Sequence, residues 1–324
     1  MNVKRLFLLA LAFLLGAAGG AGVSHWYRMR QCGHFEFINR DIACGATRVI
    51  SKAAYIKLEN DIRNYIENKV TKGDALKASV YFRDLRSGPV FGVNENDDFA
   101  PASLLKLPMV FTYFSAAERE PGLLGITLPY SADKPEFLPR RRQKVPPAEV
   151  LQSGASYAIE DLMRRTLEYS DNTAYSLLVE YMDTIYPDGS TRVLRTFHEL
   201  GIIDPRDITD EVASVRGYAS LFRVLYNVSY LPADASEKVL TWLIRSRFPD
   251  GLAAGVPAGV QIADKFGERD LPDGTQQVHD CGIVYYPDNP YLLCVMTKGY
   301  SWETLTAMIA EISRMVYVEV DSRR

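Results

Sequence analysis

Strand-like periodicity is confined to the two ends of this chain, and that arrangement limits the fold more than any other feature. A helical pattern at 53–70, carried by Tyr55, Leu58, Ile62, Tyr65 and Ile66, leads into strand-like segments at 78–85 and 90–93, joined by Arg86-Ser87-Gly88-Pro89. Helical patterns then fill the middle: one directly after Ser103, others at 158–169, 173–182, 190–200, 215–226 and 238–246. Strand-like runs return at 260–266, 281–286 and 291–297, and a helix at 303–316 closes the chain. The turn-rich stretch 121–147 is the one long interruption, and neither an internal repeat nor a low-complexity linker occurs. Strands separated by so many helices can bury their apolar faces only by meeting in one sheet. The expected class is therefore α/β of the α+β kind: a mostly antiparallel sheet from both chain ends, flanked by helices, plus an all-helical lobe. A crevice between such lobes is the natural place for an active site.

The chain splits by composition into a leader (1–30), a short connecting segment (31–52) and a globular domain (53–324). Lys4 and Arg5 precede an uncharged run from Leu6 to Val23, whose second half is Gly and Ala. That run reads as an export signal, cut near Ala21 or retained as a membrane anchor. Arg28 and Arg30 beyond it balance Lys4 and Arg5, so charge does not decide between the two. The domain is expected outside the cytoplasmic membrane, in the periplasm or on the cell surface. A hydrophobic content of 47% and a net charge of -3 suit a globular protein and do not point to a nucleic-acid partner; a monomer is expected.

Export makes the four cysteines candidates for disulfides. Cys32 and Cys44 can close a short loop. Cys281 and Cys294 lie on apolar runs flanking Pro287-Asp288-Asn289-Pro290, either paired across a hairpin or simply buried as small apolar residues. Cys32, His34 and Cys44 lack a fourth ligand at metal-type spacing, so no metal or other cofactor is expected.

The segment Pro101-Ala102-Ser103-Leu104-Leu105-Lys106 sets a lysine one helical turn from a serine. A serine hydroxyl needs a base to become a nucleophile, and lysine serves only if burial or a second cation disfavours its charge. Backbone N–H groups at a helix start suit the oxyanion of acyl transfer. The same residues can equally be a helix cap with a solvated lysine. Ser131-Ala132-Asp133-Lys134 repeats the spacing but runs into Pro135 and a basic, proline-bearing stretch, so it is read as a chance match.

Two further stretches carry polar groups that chemistry can use. Ser170-Asp171-Asn172 stands between two helical patterns, either as an ordinary cap or as a proton shuttle (Ser170) and amide clamp (Asn172) with Asp171 bracing the turn. Lys265-Phe266-Gly267-Glu268 ends an apolar strand; alternation sends Lys265 and Phe266 to opposite faces, so Lys265 is either a cation aimed into a crevice or a plain strand end.

In order and approximate spacing, Ser103-x-x-Lys106, Ser170-Asp171-Asn172 and Lys265-x-Gly267 resemble the penicillin-recognising serine hydrolases, most closely class A β-lactamases, over about residues 55–316. The resemblance implies a β-lactamase/transpeptidase-like fold. It implies catalytic roles for Ser103 as nucleophile, Lys106 as proton acceptor, Ser170 as relay to the leaving nitrogen and Lys265 as its electrostatic support. Asn172, Phe266, Gly267 and Glu268 would line the substrate site, with the N–H groups of Ser103 and Glu268 as the oxyanion hole. Two positions depart from the family: Phe266 stands where a hydroxyl residue normally helps bind the ligand carboxylate, and 200–215 carries no recognisable loop glutamate, only Asp204, Asp207, Asp210 and Glu211.

The expected function is opening of β-lactam amides through an acyl-enzyme at Ser103, with slow deacylation. One alternative is a D-Ala-D-Ala carboxypeptidase acting on cell-wall peptides. Another is a non-catalytic wall-binding or β-lactam-sensing domain.

Overall fold

The computed structural model describes residues 16, 19–20, 35–39, 55–86, 88, 90–133, 143–186, 189–201, 213–246 and 248–323. The leader bar three glycines, Cys32, His34, Cys44, Lys134, Asp204, Asp207, Asp210 and Glu211 lie outside them. Among the described residues no helix is long and apolar enough to cross a membrane.

The sheet forms as the order of periodicities requires. Strands β1 (Lys77–Asp84) and β2 (Val90–Val93) from the front of the chain join β7 (Ile262–Asp270), β8 (Gln276–Val284) and β9 (Tyr291–Gly299) from its end. All neighbours are antiparallel and the order is β2-β1-β9-β8-β7. The join between the two ends is β1 on β9, in register from Lys77 opposite Lys298 to Asp84 opposite Tyr291. This leaves β7 as an edge strand, with a row of backbone groups free to face the helical lobe.

The side-chain period of two divides the central strands between two cores. Leu293 and Val295 of β9 join Ile62, Ile66, Met308 and Ile312, from helices α1 (Ile56–Thr71) and α8 (Trp302–Asp321), on one face. Leu292, Cys294 and Met296 face the other way, into the core of the helical lobe. That lobe holds α2 (Lys106–Ala117), α3 (Ile159–Glu168), α4 (Asn172–Ile185), α5 (Gly189–Glu199), α6 (Val215–Tyr226) and α7 (Ala233–Ile244). Cys281 and Cys294 stand directly opposite each other on β8 and β9 and are disulfide-bonded, which settles the choice left open by their positions alone.

Three local features differ from the sequence expectation. Ser103 does not begin an α-helix; it lies in a 3₁₀ turn, Ala102–Leu105, and α2 starts at Lys106. Pro108 is tolerated there because first-turn N–H groups have no helical acceptor. The stretch after α2 contains a short strand, β4 (Thr127–Pro129), paired with β5 (Ser156–Ala158), apart from the two-residue pair of β3 (Asp98–Phe99) with β6 (Ala213–Ser214). Finally, β8 begins five residues before Cys281, because Gln276, Gln277, His279 and Asp280 are polar and conceal a strand that is buried from Gln277 onward.

Candidate active site

Three pieces of chain converge on Ser103. The 3₁₀ turn carries the serine, and Lys106 at the start of α2 directs its amine to Ser103 Oγ at 3.2 Å. The second piece is the turn between α3 and α4. Ser170 adopts a left-handed backbone there, φ 50°, which a non-glycine residue holds only when its surroundings impose it. Asp171 fixes this turn as the N-cap of α4, accepting from Thr173 N at 2.8 Å and Ala174 N at 3.2 Å. The result points both Ser170 and Asn172 at Lys106, whose amine lies 3.1 Å from Ser170 Oγ and 2.6 Å from Asn172 Oδ1.

The third piece is the edge strand β7. Lys265 donates to Ser170 Oγ at 2.9 Å, so one hydroxyl is flanked by two amines. Gly267 brings the strand against the serine turn: a Cβ at this position would sit 3.0 Å from both Pro101 O and Leu104 Cγ. Phe266 belongs to the opposite core, 2% exposed and stacked on Phe248 with ring centroids 4.5 Å apart.

Both amines are buried, Lys106 to 2% exposure and Lys265 completely. Burial disfavours their charged forms. It holds Lys106 well below the usual lysine range, and the positive charge of Lys265 pushes in the same direction. Lys265 is lowered to about 8 by burial, with the carboxyls of Asp264, Asp280 and Glu268 opposing the shift. Lys106 is therefore suited to accept a proton and Lys265 to remain the cation near neutral pH.

Several supporting residues carry no motif. His279 is fully buried beside the serine loop, with Nε2 3.0 Å from Ala100 O and Nδ1 accepting from Thr297 N at 3.3 Å. Burial lowers it to about 4, so the ring is neutral and its Nε2–H donates to Ala100. Tyr218 donates to Leu104 O at 3.1 Å, bracing the same turn from α6. Asp264 and Asp280 form a buried acid pair next to Lys265, both raised by burial, and Asp280 accepts from Leu252 N at 2.7 Å. A loop from the helical lobe completes the surroundings. Gln143 donates to Ser170 O at 2.8 Å, and the backbone N–H of Lys144 donates to the Glu268 carboxylate at 3.0 Å.

Ser131 is exposed beyond β4, and the lysine of its motif lies outside the described residues. No cluster of His, Cys, Asp or Glu among the described residues could hold a metal ion. The arrangement is thus an alcohol beside a buried amine, a second hydroxyl held between two amines, and a strand edge lying along the alcohol's turn. Such an arrangement can remove the proton from a serine hydroxyl and so make it a nucleophile.

A model of the beta-lactamase enzyme family matches residues 57–320. Beta-lactamase L2 of Stenotrophomonas maltophilia is 27% identical over 251 residues, 72% of this chain and 77% of its own. A beta-lactamase of Proteus vulgaris is 27% identical over 213 residues, 61% of this chain and 65% of its own. Among solved structures, a variant of PBP-A in an acyl-enzyme complex with penicillin-G is similar with a TM-score of 0.67 at 23% identity, over 82% of this chain and 97% of that one. A beta-lactamase from Burkholderia phymatum is similar with a TM-score of 0.67 at 20% identity, over 82% of this chain and all of its own (100%). These structural likenesses speak to the fold: an antiparallel sheet flanked by helices.

Proposed function

The chain belongs to the beta-lactamase enzyme family, and from that premise we propose that it is an exported serine hydrolase that opens β-lactam amides through an acyl-enzyme at Ser103. The observation that carries the reading is the pair of contacts made by Lys106, 3.2 Å from Ser103 Oγ and 3.1 Å from Ser170 Oγ. In this scheme neutral Lys106 takes the Ser103 proton as the oxygen attacks the lactam carbonyl carbon. The carbonyl oxygen becomes an oxyanion held by the N–H groups of Ser103 and Glu268. The C–N bond then breaks, and the proton passes from Lys106 through Ser170 to the leaving nitrogen. Lys265, 2.9 Å from Ser170 Oγ, stabilises that hydroxyl as it exchanges protons. Asn172 accepts from Lys106 at Oδ1, 2.6 Å away, and the family resemblance gives it the further role of clamping the acyl side chain of the substrate.

Hydrolysis of the ester needs a base that activates water, and lack of a positioned base costs about 10²- to 10⁴-fold in the step it serves. Residues 200–215 contain acids but no loop motif that would present one, so a long-lived acyl-enzyme is the expected outcome. The leader Leu6–Val23 supports placement outside the cytoplasmic membrane, cut or retained.

The test is to mix purified protein, and a Ser103→Ala variant, with a chromogenic cephalosporin and with penicillin-G, following colour and intact mass together. A Ser103-dependent mass adduct that outlasts the colour change supports the proposal. Fast colour with no adduct would contradict slow deacylation. An adduct on neither β-lactams nor acyl-D-Ala-D-Ala peptides would leave a wall-binding module.

A further inference from the structure

The strand edge beside Ser103 holds an anion whose partners come from the backbone of residues 144–145. Glu268 follows Gly267, the residue packed against the serine turn, and its carboxylate accepts from Lys144 N at 3.0 Å and Val145 N at 3.3 Å. One residue earlier, Gln143 donates to Ser170 O at 2.8 Å, the carbonyl that also accepts from Lys106 at 2.5 Å. Residues 143–145 therefore run from the Ser170 turn to β7 as a strap. Its far side is tied down by Lys144 Nζ, 3.1 Å from Gln276 Oε1 and 5.2 Å from the ring centroid of Trp302.

Consecutive backbone N–H groups converging on one carboxylate make an anion seat, and here the seat is filled by the protein itself. The Glu268 charge also acts on both Lys106 and Lys265. Lys106 is held toward its neutral form, and Lys265 already has the acid pair Asp264 and Asp280 beside it. Phe266, on the same strand, has no donor to offer and turns into the core. A second carboxylate arriving at this edge thus meets a seat already filled and a like charge.

We infer that the Glu268 side chain determines specificity at this site by disfavouring a free carboxylate, so that acyl donors bearing a neutral ester or amide in its place acylate Ser103 faster than the free acids do. This rests on the acyl-enzyme reading of Ser103 and adds the substrate class to it.

The experiment compares acylation by benzylpenicillin and by its methyl ester in the full-length protein, read by intact mass, for the wild type, Glu268→Gln and Glu268→Asp. Glu268→Gln should raise the acid-to-ester rate ratio about tenfold, the effect of removing one like charge at the cleft edge, while Glu268→Asp keeps the wild-type ratio. An unchanged or lower ratio in Glu268→Gln overturns the inference and leaves the acyl-enzyme intact. No adduct with either compound in any of the proteins defeats the acyl-enzyme reading itself. Amide exchange at Lys144 and Val145 supplies a readout independent of acylation: Glu268→Ala should speed it about tenfold, and unchanged exchange would show that the carboxylate does not hold the strap.

Discussion

Replacing Lys265 by methionine isolates the electrostatic part of the mechanism. The two amines share Ser170 Oγ at 3.1 and 2.9 Å, so they are no more than about 6 Å apart. Two unit charges at that distance repel by about 3 kcal/mol at an effective dielectric constant of about 20. Salt screens little of this, because both groups are buried. Removing Lys265 lets Lys106 hold its proton more tightly, and the repulsion lost corresponds to at most about a 100-fold fall in its neutral fraction. The sign is fixed: without the neighbouring cation Lys106 binds its proton more tightly, so the ascending limb of acylation moves to higher pH. Lys265 itself loses its proton near about 8, so the wild-type advantage should close above that pH. Second-order acylation rates of wild type and Lys265→Met, measured by intact mass from about pH 5 to about pH 10, would display this convergence. A deficit of equal size at every pH, or a limb displaced toward acid, would refute the electrostatic argument.

Gly267→Ala should slow acylation about 100-fold with little change in melting temperature, since the added methyl meets Pro101 O and Leu104 Cγ at 3.0 Å and pushes β7 off the serine turn. His279, lowered by burial to about 4, contributes about 3 kcal/mol of stability that is present above about pH 6.5 and lost as the pH falls through about 4. Denaturant melts of His279→Gln should show a flatter acid limb than wild type, and an unchanged limb would assign acid sensitivity to other groups. The bridge between Cys281 and Cys294 spans a sequence separation of 13, so reducing it or replacing both residues by alanine should cost about 3 kcal/mol in a denaturant melt.

The fold was legible because its two signals are local. The period of two in segments such as Leu292–Met296 and the period near 3.6 in Leu58, Ile62 and Ile66 each follow from which side a residue must bury. The meeting of Ser103, Lys106, Ser170, Asn172 and Lys265 in one candidate site was legible through spacing joined to a family resemblance; any one motif alone reads equally well as a helix cap or strand end. What escaped has no local signature. His279 touches Ala100 across a separation of 179 residues, and Glu268 finds Lys144 across 124. Polar residues in β8 read as loop because sequence hydropathy cannot register a partner supplied by another strand or by a neighbouring loop. The 3₁₀ turn was missed for a related reason: Ala102 holds φ 51°, a conformation imposed by packing against β7 rather than favoured by alanine.

Digestion of the penicillin-treated protein and mapping of the modified peptide bears most directly on the role given to Ser103. The adduct should sit on the Ser103 hydroxyl and vanish in Ser103→Ala, while Ser131 stays unmodified. An adduct on any other residue, or one that survives in Ser103→Ala, would contradict the mechanism built on this serine and its buried amine.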